Sequence, residues 1–275
     1  MQKIGFIGAG NMAYALASGL ISNGYGKDFI KISDVNKALL SQINTQLGVE
    51  IFDNNIALAS ASEILILAVK PQNLAQVCQE LSSNLEQKPL IISIAAGVKS
   101  IDIDRWLGGN QALVRVMPNT PALVGQGISG AFANNLVNAQ QKSAATTILN
   151  AIGECVWVEN ENLINAVTAV SGSGPAYFFL MLEAMTKAGV DLGLEQAAAE
   201  KLSIQTALGS AVMASKSSDS PKVLREKVSS PGGTTQAAIN SFQQQNFEQI
   251  VSAAMLAAFD RAKEIGDEIG DEIGK

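Results

Sequence analysis

The chain of 275 residues contains no histidine. Histidine is the side chain most often used for acid–base catalysis near neutral pH, and it is also the commonest metal ligand. Cysteine is nearly as scarce, since only Cys78 and Cys155 are present. Two cysteines so far apart in sequence predict neither a zinc cluster nor a disulfide framework. We therefore expect no metal site, and two thiols in a reducing compartment.

Charged residues are also few, at 16% of the chain, and the formal net charge is −6. No run of lysine or arginine offsets this balance, so nucleic acid is not an expected partner. No basic leader precedes the first predicted strand, and no apolar run approaches the ~20 residues that cross a bilayer. We expect a soluble cytoplasmic protein with no membrane partner, long enough for one or two domains.

The first half of the chain alternates short apolar runs with amphipathic helical patterns. Regular alternation of this kind predicts right-handed crossovers and a doubly wound, mostly parallel α/β sheet of the Rossmann type. The strand candidates are residues 3–7, 30–33, 49–52, 64–68, 90–94 and 112–116, with edge candidates at 128–133 and 156–158.

After about residue 159 the pattern becomes helical and rich in alanine, leucine and methionine. We expect a dinucleotide-binding domain over residues 1–159 and an all-helical substrate and dimerisation domain over 160–275. Several of these helices are apolar around most of their circumference and need a buried environment, which predicts a homodimer. The tail 264–275 repeats Ile-Gly-Asp-Glu. Because frequent glycine makes a poor helix, we expect a frayed, solvated end without function.

A glycine motif follows the first predicted strand and opens a helix: Gly8-Ala9-Gly10-Asn11-Met12-Ala13. It matches the Gly-x-Gly-x-x-Gly/Ala fingerprint of dinucleotide binding in the required context. The first glycine permits the tight turn, the second lets a pyrophosphate approach the backbone, and the alanine keeps helix and strand close. The predicted cofactor contacts here are Ile7, Gly8, Ala9, Gly10, Asn11 and Met12.

Asp34 ends the second predicted strand, where an acidic side chain accepts hydrogen bonds from the adenosine ribose hydroxyls. This position indicates NAD, because a carboxylate repels a 2′-phosphate. Lys37 could nevertheless reach such a phosphate and Ser33 could donate to it. The alternative is an aspartate that only caps the next helix. NADPH and NADH both stay open as cofactors.

Three further loops leave the carboxyl ends of predicted strands, the edge at which ligands bind in open α/β sheets. The first contains Ala68, Val69, Lys70 and Pro71, and Lys70 is either a cofactor contact or a solvated charge. Residues 93–97 form the second loop, whose small residues Ala95 and Gly97 would let a nicotinamide ring lie against the backbone. The third, Met117-Pro118-Asn119-Thr120-Pro121, is a candidate wall of the cleft.

The segment Ser230-Pro231-Gly232-Gly233-Thr234-Thr235 interrupts the helical half and precedes a new helix. A helix N-terminus presents free N–H groups and a partial positive charge, so it can hold a carboxylate or phosphate. The alternative is an ordinary start with Ser230 as N-cap and Pro231 at the first helical position. Residues 171–177 form another glycine-rich break, a predicted hinge without a nucleophile elbow. Hydrolase chemistry is excluded, because no histidine could activate a serine.

Taken together, these motifs resemble those of the pyrroline-5-carboxylate reductase family. The matching segments, in the family's order, are residues 8–13, 68–72, 93–97, 117–121, 171–177 and 230–235. The resemblance implies reduction of 1-pyrroline-5-carboxylate to L-proline by NADPH or NADH. It also implies a helical domain that interlocks two subunits, often assembled into larger rings of dimers.

The resemblance also implies roles for individual residues. Thr235 matches the family's threonine, which would hydrogen-bond the ring nitrogen and relay a proton from water. The substrate carboxylate would sit on the backbone near Gly233, Thr234 and Thr235, and the remaining predicted substrate contacts are Ser230 and Met117.

At the cofactor site, the resemblance implies one further contact, and the sequence departs from the family's pattern at one position. Asn55 corresponds to a family residue near the adenosine ribose, where it could support Asp34 or Ser33. The family more usually prefers NADPH, and Asp34 without a neighbouring arginine departs from that preference.

Two rival interpretations are kept. A β-hydroxyacid dehydrogenase needs a catalytic lysine after the sheet domain, and Lys187 is the only candidate, in a context that does not match. A non-catalytic dinucleotide-sensing module is the other rival. The motifs beyond the cofactor site argue against it.

Overall fold

The computed structural model describes residues 1–272, and its contacts divide the chain into two compact units. The first unit comprises Met1–Ser173 together with the chain from Ala258 onward, and the second comprises Gly174–Ala257. These units differ from the predicted division into 1–159 and 160–275, which stays a prediction for the domains. The difference arises because a short helix after residue 159 packs on the sheet and because the end of the chain returns to the first unit.

The first unit is built on an eight-stranded sheet with the order β3-β2-β1-β4-β5-β6-β7-β8. The strands are β1 (Ile4–Ile7), β2 (Ile30–Ser33), β3 (Glu50–Phe52), β4 (Ile64–Leu67), β5 (Leu90–Ser93), β6 (Leu113–Met117), β7 (Gly127–Ala133) and β8 (Gly153–Trp157). Every neighbouring pair is parallel except β6 and β7. The predicted Rossmann-like, mostly parallel fold class is confirmed.

Helices cover both faces of this sheet. They are α1 (Asn11–Ser22), α2 (Lys37–Leu47), α3 (Asn55–Ser60), α4 (Pro71–Leu81), α5 (Ser100–Trp106), α6 (Ala139–Leu149) and α7 (Leu163–Val167). Because side chains alternate between the faces of a strand, the core has two parts. Phe6 and Ile66 pack with α1, α2 and α6, whereas Leu65 and Leu67 pack with α3, α4 and α5. Each such buried side chain stabilises the fold by roughly 1.5–3 kcal/mol.

The second unit is helical, as the sequence predicts. It contains α8 (Gly174–Asp191), α9 (Gln196–Lys216), α10 (Pro221–Lys227), α11 (Thr234–Gln244) and the first part of α12 (Phe247–Glu272). Many large apolar side chains are exposed on it, among them Phe178, Phe179, Leu208 and Met213. An exposed apolar surface of this extent is typical of an interaction site.

One helical stretch, Leu163–Asp191, is long and apolar enough to cross a membrane by length and composition. The sequence analysis did not anticipate it, because no unbroken apolar run of that length is present. A single stretch of this kind is weak evidence for a membrane segment. It includes a π-helical turn over Thr168–Gly172, directly before α8 begins.

The end of the chain corrects one expectation. Helix α12 continues unbroken to Glu272, so the frayed end predicted from residue 264 was wrong as far as the described residues extend. Residues 273–275 lie outside them. The low helix propensity of glycine is overridden by packing, since Ile269 contacts the apolar cluster of the first unit and Asp267 pairs with Lys99.

Candidate active site

The glycine loop after β1 joins the first strand to α1. Gly8 has a φ of +102°, and a Cβ there would lie 2.7 Å from the carbonyl oxygen of Ala68. Both facts require glycine at this position. Gly10 is the N-cap of α1 and has no side chain to occupy the free N–H groups of the first turn. An added Cβ on Gly10 would find no atom of the described chain within 4 Å, so a ligand has room to approach.

A cavity of about 650 Å³ opens beside this loop, at the carboxyl ends of β1, β2 and β4. The predicted cofactor residues that line it are Ile7, Gly8, Gly10, Asp34, Asn55, Ala68, Val69 and Lys70. Its size suits a small-molecule site. A free helix N-terminus, an approachable glycine backbone and a carboxylate at the end of β2 fit a dinucleotide.

The other predicted cofactor residues are not among those that line the cavity. Asn11 and Met12 form the first turn of α1, and Pro71 is the first residue of α4. Ala95 is buried. Gly97 has a φ of +83° and lies against Ile265 of α12.

Asp34 is fixed by two backbone hydrogen bonds. Its Oδ2 accepts from the N–H of Ala9 and its Oδ1 accepts from the N–H of Asn36, each at 2.8 Å. The N-cap of α2 is Asn36, whose side chain accepts from Leu39. Asp34 therefore does not cap the next helix. It joins the end of β2 to the glycine loop and presents its charge to the cavity.

A short chain of hydrogen bonds lies beside Asp34. The buried Ser33 hydroxyl donates to Asn55 Oδ1 at 2.8 Å, and Asn55 Nδ2 donates to Glu80 Oε2 at 3.5 Å. Two carboxylates, Asp34 and Glu80, thus line the cavity, with Lys70 as the one cation among its lining residues in the described chain.

The wall that α4 contributes to the cavity was not predicted from the sequence. Asn73, Gln76, Val77 and Glu80 all line the cavity. They are spaced three and four residues apart, which places them on one face of a helix. The start of α4 at Pro71 is readable from the sequence, and with it this face could have been predicted.

The predicted anion site lies in the second unit, at the start of α11. This helix begins at Thr234 with Gly233 as its N-cap. The alternative with Ser230 as N-cap and Pro231 at the first helical position does not match this arrangement. Gly232 takes a left-handed φ of +72°, and a Cβ on Gly233 would lie 2.5 Å from Ser230 Oγ. The first-turn N–H groups follow a glycine, so no capping side chain of that residue blocks them.

Met117 and the residues after it contact the turn at the end of the first unit. A Cβ on Gly172 would lie 2.5 Å from Met117 Cε. Asn119 is buried, donates to the carbonyl of Ser171 at 3.2 Å and accepts from the N–H of Ile128 at 2.9 Å. The predicted cleft wall is thus tied to the π-helical turn, a feature found frequently at functional sites.

Three expectations from the sequence concern the candidate lysine, a metal site and the two thiols. Lys187 is largely exposed and pairs with Asp191 at 2.7 Å, so it has no catalytic setting for a hydroxyacid dehydrogenase. Among the side chains that the structure describes, no group of three His, Cys, Asp or Glu residues could hold a metal ion. Burial raises the pKa of the Cys78 thiol to about 12 and that of Cys155 to about 11.

Comparison with protein families gives matches over both halves of the chain. Residues 161–265 match the family described as pyrroline-5-carboxylate reductase dimerisation. Residues 3–97 match the family described as NADP oxidoreductase coenzyme F420-dependent.

Full-length relatives and solved structures agree with these matches. The pyrroline-5-carboxylate reductase of Pseudomonas aeruginosa is 45% identical over 96% of this chain and 97% of its own. That of Haemophilus influenzae is 42% identical over 96% and 97%. The structure of the Coxiella burnetii enzyme has 42% identity and a TM-score of 0.93, covering 96% of this chain and 98% of that one. A Plasmodium falciparum reductase structure with NADP bound has 32% identity and a TM-score of 0.85, again covering 96% and 98%.

These identities extend over nearly the whole chain and over both structural units. The chain therefore belongs to the pyrroline-5-carboxylate reductase family.

Proposed function

We propose that each of the two candidate sites binds one reactant of the family's reaction, the reduction of 1-pyrroline-5-carboxylate to L-proline by NAD(P)H. The cavity beside α1 would hold the dinucleotide, and the start of α11 would hold the substrate carboxylate. The observation that carries this proposal is the open N-terminus of α1, with Asp34 pinned at the ribose end of the same cavity.

The geometry of the cavity supports the proposed cofactor contacts. The backbone at Gly8, Ala9 and Gly10, with the N–H groups of Asn11 and Met12, would face the pyrophosphate. Asp34, with Asn55 and Ser33 behind it, would accept from the ribose hydroxyls.

The remaining proposed contacts concern the other half of the cofactor. Lys70 lines the same cavity and would supply a positive charge near the cofactor phosphates. Ala68, Val69 and Pro71 shape that wall, and Ala95 and Gly97 belong to the neighbouring loop. When bound, the reduced nicotinamide supplies a hydride.

The substrate is a small anion with a cyclic C=N bond, and the chain would hold each end by a different group. The backbone N–H groups near Gly233, Thr234 and Thr235 suit the carboxylate, because the helix dipole adds a partial positive charge there. Ser230 lies beside the same N–H groups, and Met117 stays a predicted substrate contact.

Thr235 is the proposed catalytic residue. Its hydroxyl would hydrogen-bond the ring nitrogen and pass on a proton from water. The nitrogen becomes more basic as the C=N bond is reduced, so no strong acid is needed. That requirement fits a chain without histidine. Most of the rate enhancement would then come from orientation and exclusion of water.

The chain forms a homodimer through the dimerisation region at residues 161–265. We propose that such dimers assemble further into a ring, and that the enzyme works in the cytoplasm. Light scattering tests the assembly, since a dimer has twice the 28.7 kDa mass of one chain and a ring has a larger multiple. The exposed apolar side chains of α8 and α9 support an extensive interface.

The decisive experiment follows the loss of absorbance at 340 nm with 1-pyrroline-5-carboxylate, in parallel with NADPH and NADH. Rapid oxidation is expected with at least one cofactor. Folded protein that binds dinucleotide but oxidises neither would refute the substrate and favour a sensing module.

A further inference from the structure

The last turns of α12 lie on the loop that follows β5. This part of the helix, from Ala258, belongs to the same compact unit as the sheet. The loop spans residues 94–99, between the end of β5 at Ser93 and the start of α5 at Ser100. Two chain segments more than 160 residues apart therefore meet in one contact, which we call the terminal-helix contact.

The terminal-helix contact is a close approach of two backbones. A Cβ on Gly266 would lie 2.7 Å from the carbonyl oxygen of Gly97. A Cβ on Gly97 would lie 2.6 Å from Ile265 Cγ2. Distances this short cannot be relieved by rotating a flexible side chain, because on one side the neighbour is a backbone carbonyl. Helix and loop can pack at this separation only with glycine at both positions.

Polar and apolar anchors hold the same contact. Lys99 Nζ donates to Asp267 Oδ1 at 2.6 Å. This hydrogen bond raises the pKa of Lys99 and lowers that of Asp267. Two residues further along the helix, Ile269 packs against the apolar cluster beneath α4 and α5. The helix is thus fixed along its length as well as across its face.

The loop under this helix has a defined place in the sheet. β5 lies next to β4, and the residues after β4 line the cofactor cavity. Ligands of open α/β sheets lie beyond the carboxyl ends of the strands. With the adenosine ribose at Asp34 beyond β2, the dinucleotide runs across the carboxyl ends of β1 and β4, and its nicotinamide half reaches the loop after β5.

We propose that Ile265, Gly266 and Asp267 are positioning residues that hold the 94–99 loop and through it the nicotinamide half of the cofactor. This inference rests on the proposed function for the direction of the cofactor. It assigns to this part of α12 a role that is exerted through the loop.

The test is Gly266→Ala, with Gly270→Ala as the matched control. Alanine forms helix better than glycine, so neither change weakens α12 by propensity. The new methyl at 266 would lie 2.7 Å from the backbone carbonyl of Gly97, whereas at 270 its nearest neighbour is a side-chain oxygen of Asp102 at the longer distance of 3.1 Å. A difference between the two variants therefore reports the terminal-helix contact.

The readout compares whole cofactor with a fragment that lacks nicotinamide. For Gly266→Ala we expect weaker binding of NAD(P)H and a fall in kcat of about 10- to 100-fold, as a displacement near 1 Å causes. Calorimetric affinity for ADP-ribose and its 2′-phosphate should stay within about twofold, because Asp34 and the glycine loop are untouched. Gly270→Ala should match the wild type in both.

The inference is overturned if the affinities for fragment and whole cofactor fall together, or if Gly266→Ala changes neither. A wild-type enzyme that fails to reduce 1-pyrroline-5-carboxylate would instead refute the proposed function. In that case a selective loss of NAD(P)H affinity in Gly266→Ala would still support the positioning role.

Discussion

The carboxylate of Asp34 accepts a 2.8 Å hydrogen bond from the backbone N–H of Ala9, in the middle of the glycine loop. The second carboxylate oxygen is held by the N–H of Asn36. One side chain thus fixes the glycine loop, which we propose faces the pyrophosphate, and places a negative charge in the cavity where we propose the adenosine ribose binds. Because both carboxylate oxygens accept backbone hydrogen bonds, the Asp34 carboxylate is held in place and would repel an incoming 2′-phosphate.

Replacement of Asp34 by serine should therefore shift the cofactor preference toward NADPH. Removal of a charge next to the 2′-position should raise the ratio of kcat/KM for NADPH over NADH by about 10- to 100-fold, or roughly 1.4–2.8 kcal/mol. The loss of hydrogen bonds to a charged group should also lower the free energy of unfolding by roughly 1.5–3 kcal/mol. Steady-state kinetics with both cofactors and denaturant unfolding measure the two effects.

Asp34→Asn is the control for that experiment. It removes the charge but keeps an oxygen that can accept from Ala9. Its cofactor ratio should shift as far as that of Asp34→Ser, with a smaller loss of stability. An unchanged ratio in both variants would show that Asp34 has no part in cofactor choice.

Thr235→Ala should lower kcat/KM for the imine by about one to three decades while cofactor affinity stays near normal. The variant loses the hydroxyl proposed to reach the ring nitrogen but keeps the backbone N–H of α11. Thr234→Ala is a matched control, because its proposed contribution is through the backbone alone. Equal losses in the two variants, or full activity in Thr235→Ala, would contradict the assignment.

The two glycines of the loop should respond differently to alanine. Gly8→Ala should cost roughly 1–3 kcal/mol of stability, since its φ is +102° and the methyl meets the Ala68 carbonyl. Gly10→Ala should fold within about 0.5 kcal/mol of the wild type but bind NAD(P)H at least about tenfold more weakly, or roughly 1.4 kcal/mol. The methyl would occupy the space that a pyrophosphate needs.

Thermal unfolding and a fluorescence titration of NAD(P)H separate these effects. Two variants that lose stability to the same extent would contradict the geometry of the loop. Normal cofactor affinity in Gly10→Ala would show that the pyrophosphate does not bind at this position.

The cavity beside the glycine loop could be predicted because its signals are local. The glycine motif, Asp34 and the strand ends are readable from short patterns, and the sheet places them together. The pairing of Ser33 with Asn55 needed the family resemblance to suggest it. The face of α4 was missed because no single residue there carries a motif.

The end of the chain could not be predicted, because the decisive contact is distant in sequence. Glycine at 266 and 270 lowers helix propensity, and by that criterion alone the segment frays. In the structure the same glycines permit close packing on Gly97 and Asp102. Tertiary contacts therefore outweigh the low helix propensity of these glycines.

The two thiols should be poorly reactive at neutral pH. Burial raises the pKa of Cys78 to about 12 and that of Cys155 to about 11, and the thiolate is the nucleophile. Alkylation by iodoacetamide should be slow at pH 7.5 and should leave activity intact. For Cys155 the rate should still be rising at pH 10, because a raised pKa moves the titration upward. A plateau near pH 8.5 would contradict this.

Loss of Glu161 should destabilise the first unit strongly. Arg115 is almost fully buried and pairs with Glu161 at 3.0 Å, which also accepts from the N–H and hydroxyl of Ser100 at 2.6 Å. Glu161→Ala would leave the Arg115 charge buried without its partner. Such a change typically costs about 3–5 kcal/mol, measurable by urea unfolding.

The double variant Arg115→Met with Glu161→Ala separates two effects on stability: the loss of the ion pair, and the burial of the Arg115 charge without a partner. Methionine fills much of the arginine volume without a charge, so the double variant should be more stable than Glu161→Ala alone. This order follows because an unpaired buried charge costs more than an apolar replacement of both partners. If the double variant were the less stable of the two, the arginine would be stabilised by contacts other than the ion pair. The packing of the Arg115 side chain would then supply that part of the free energy of unfolding.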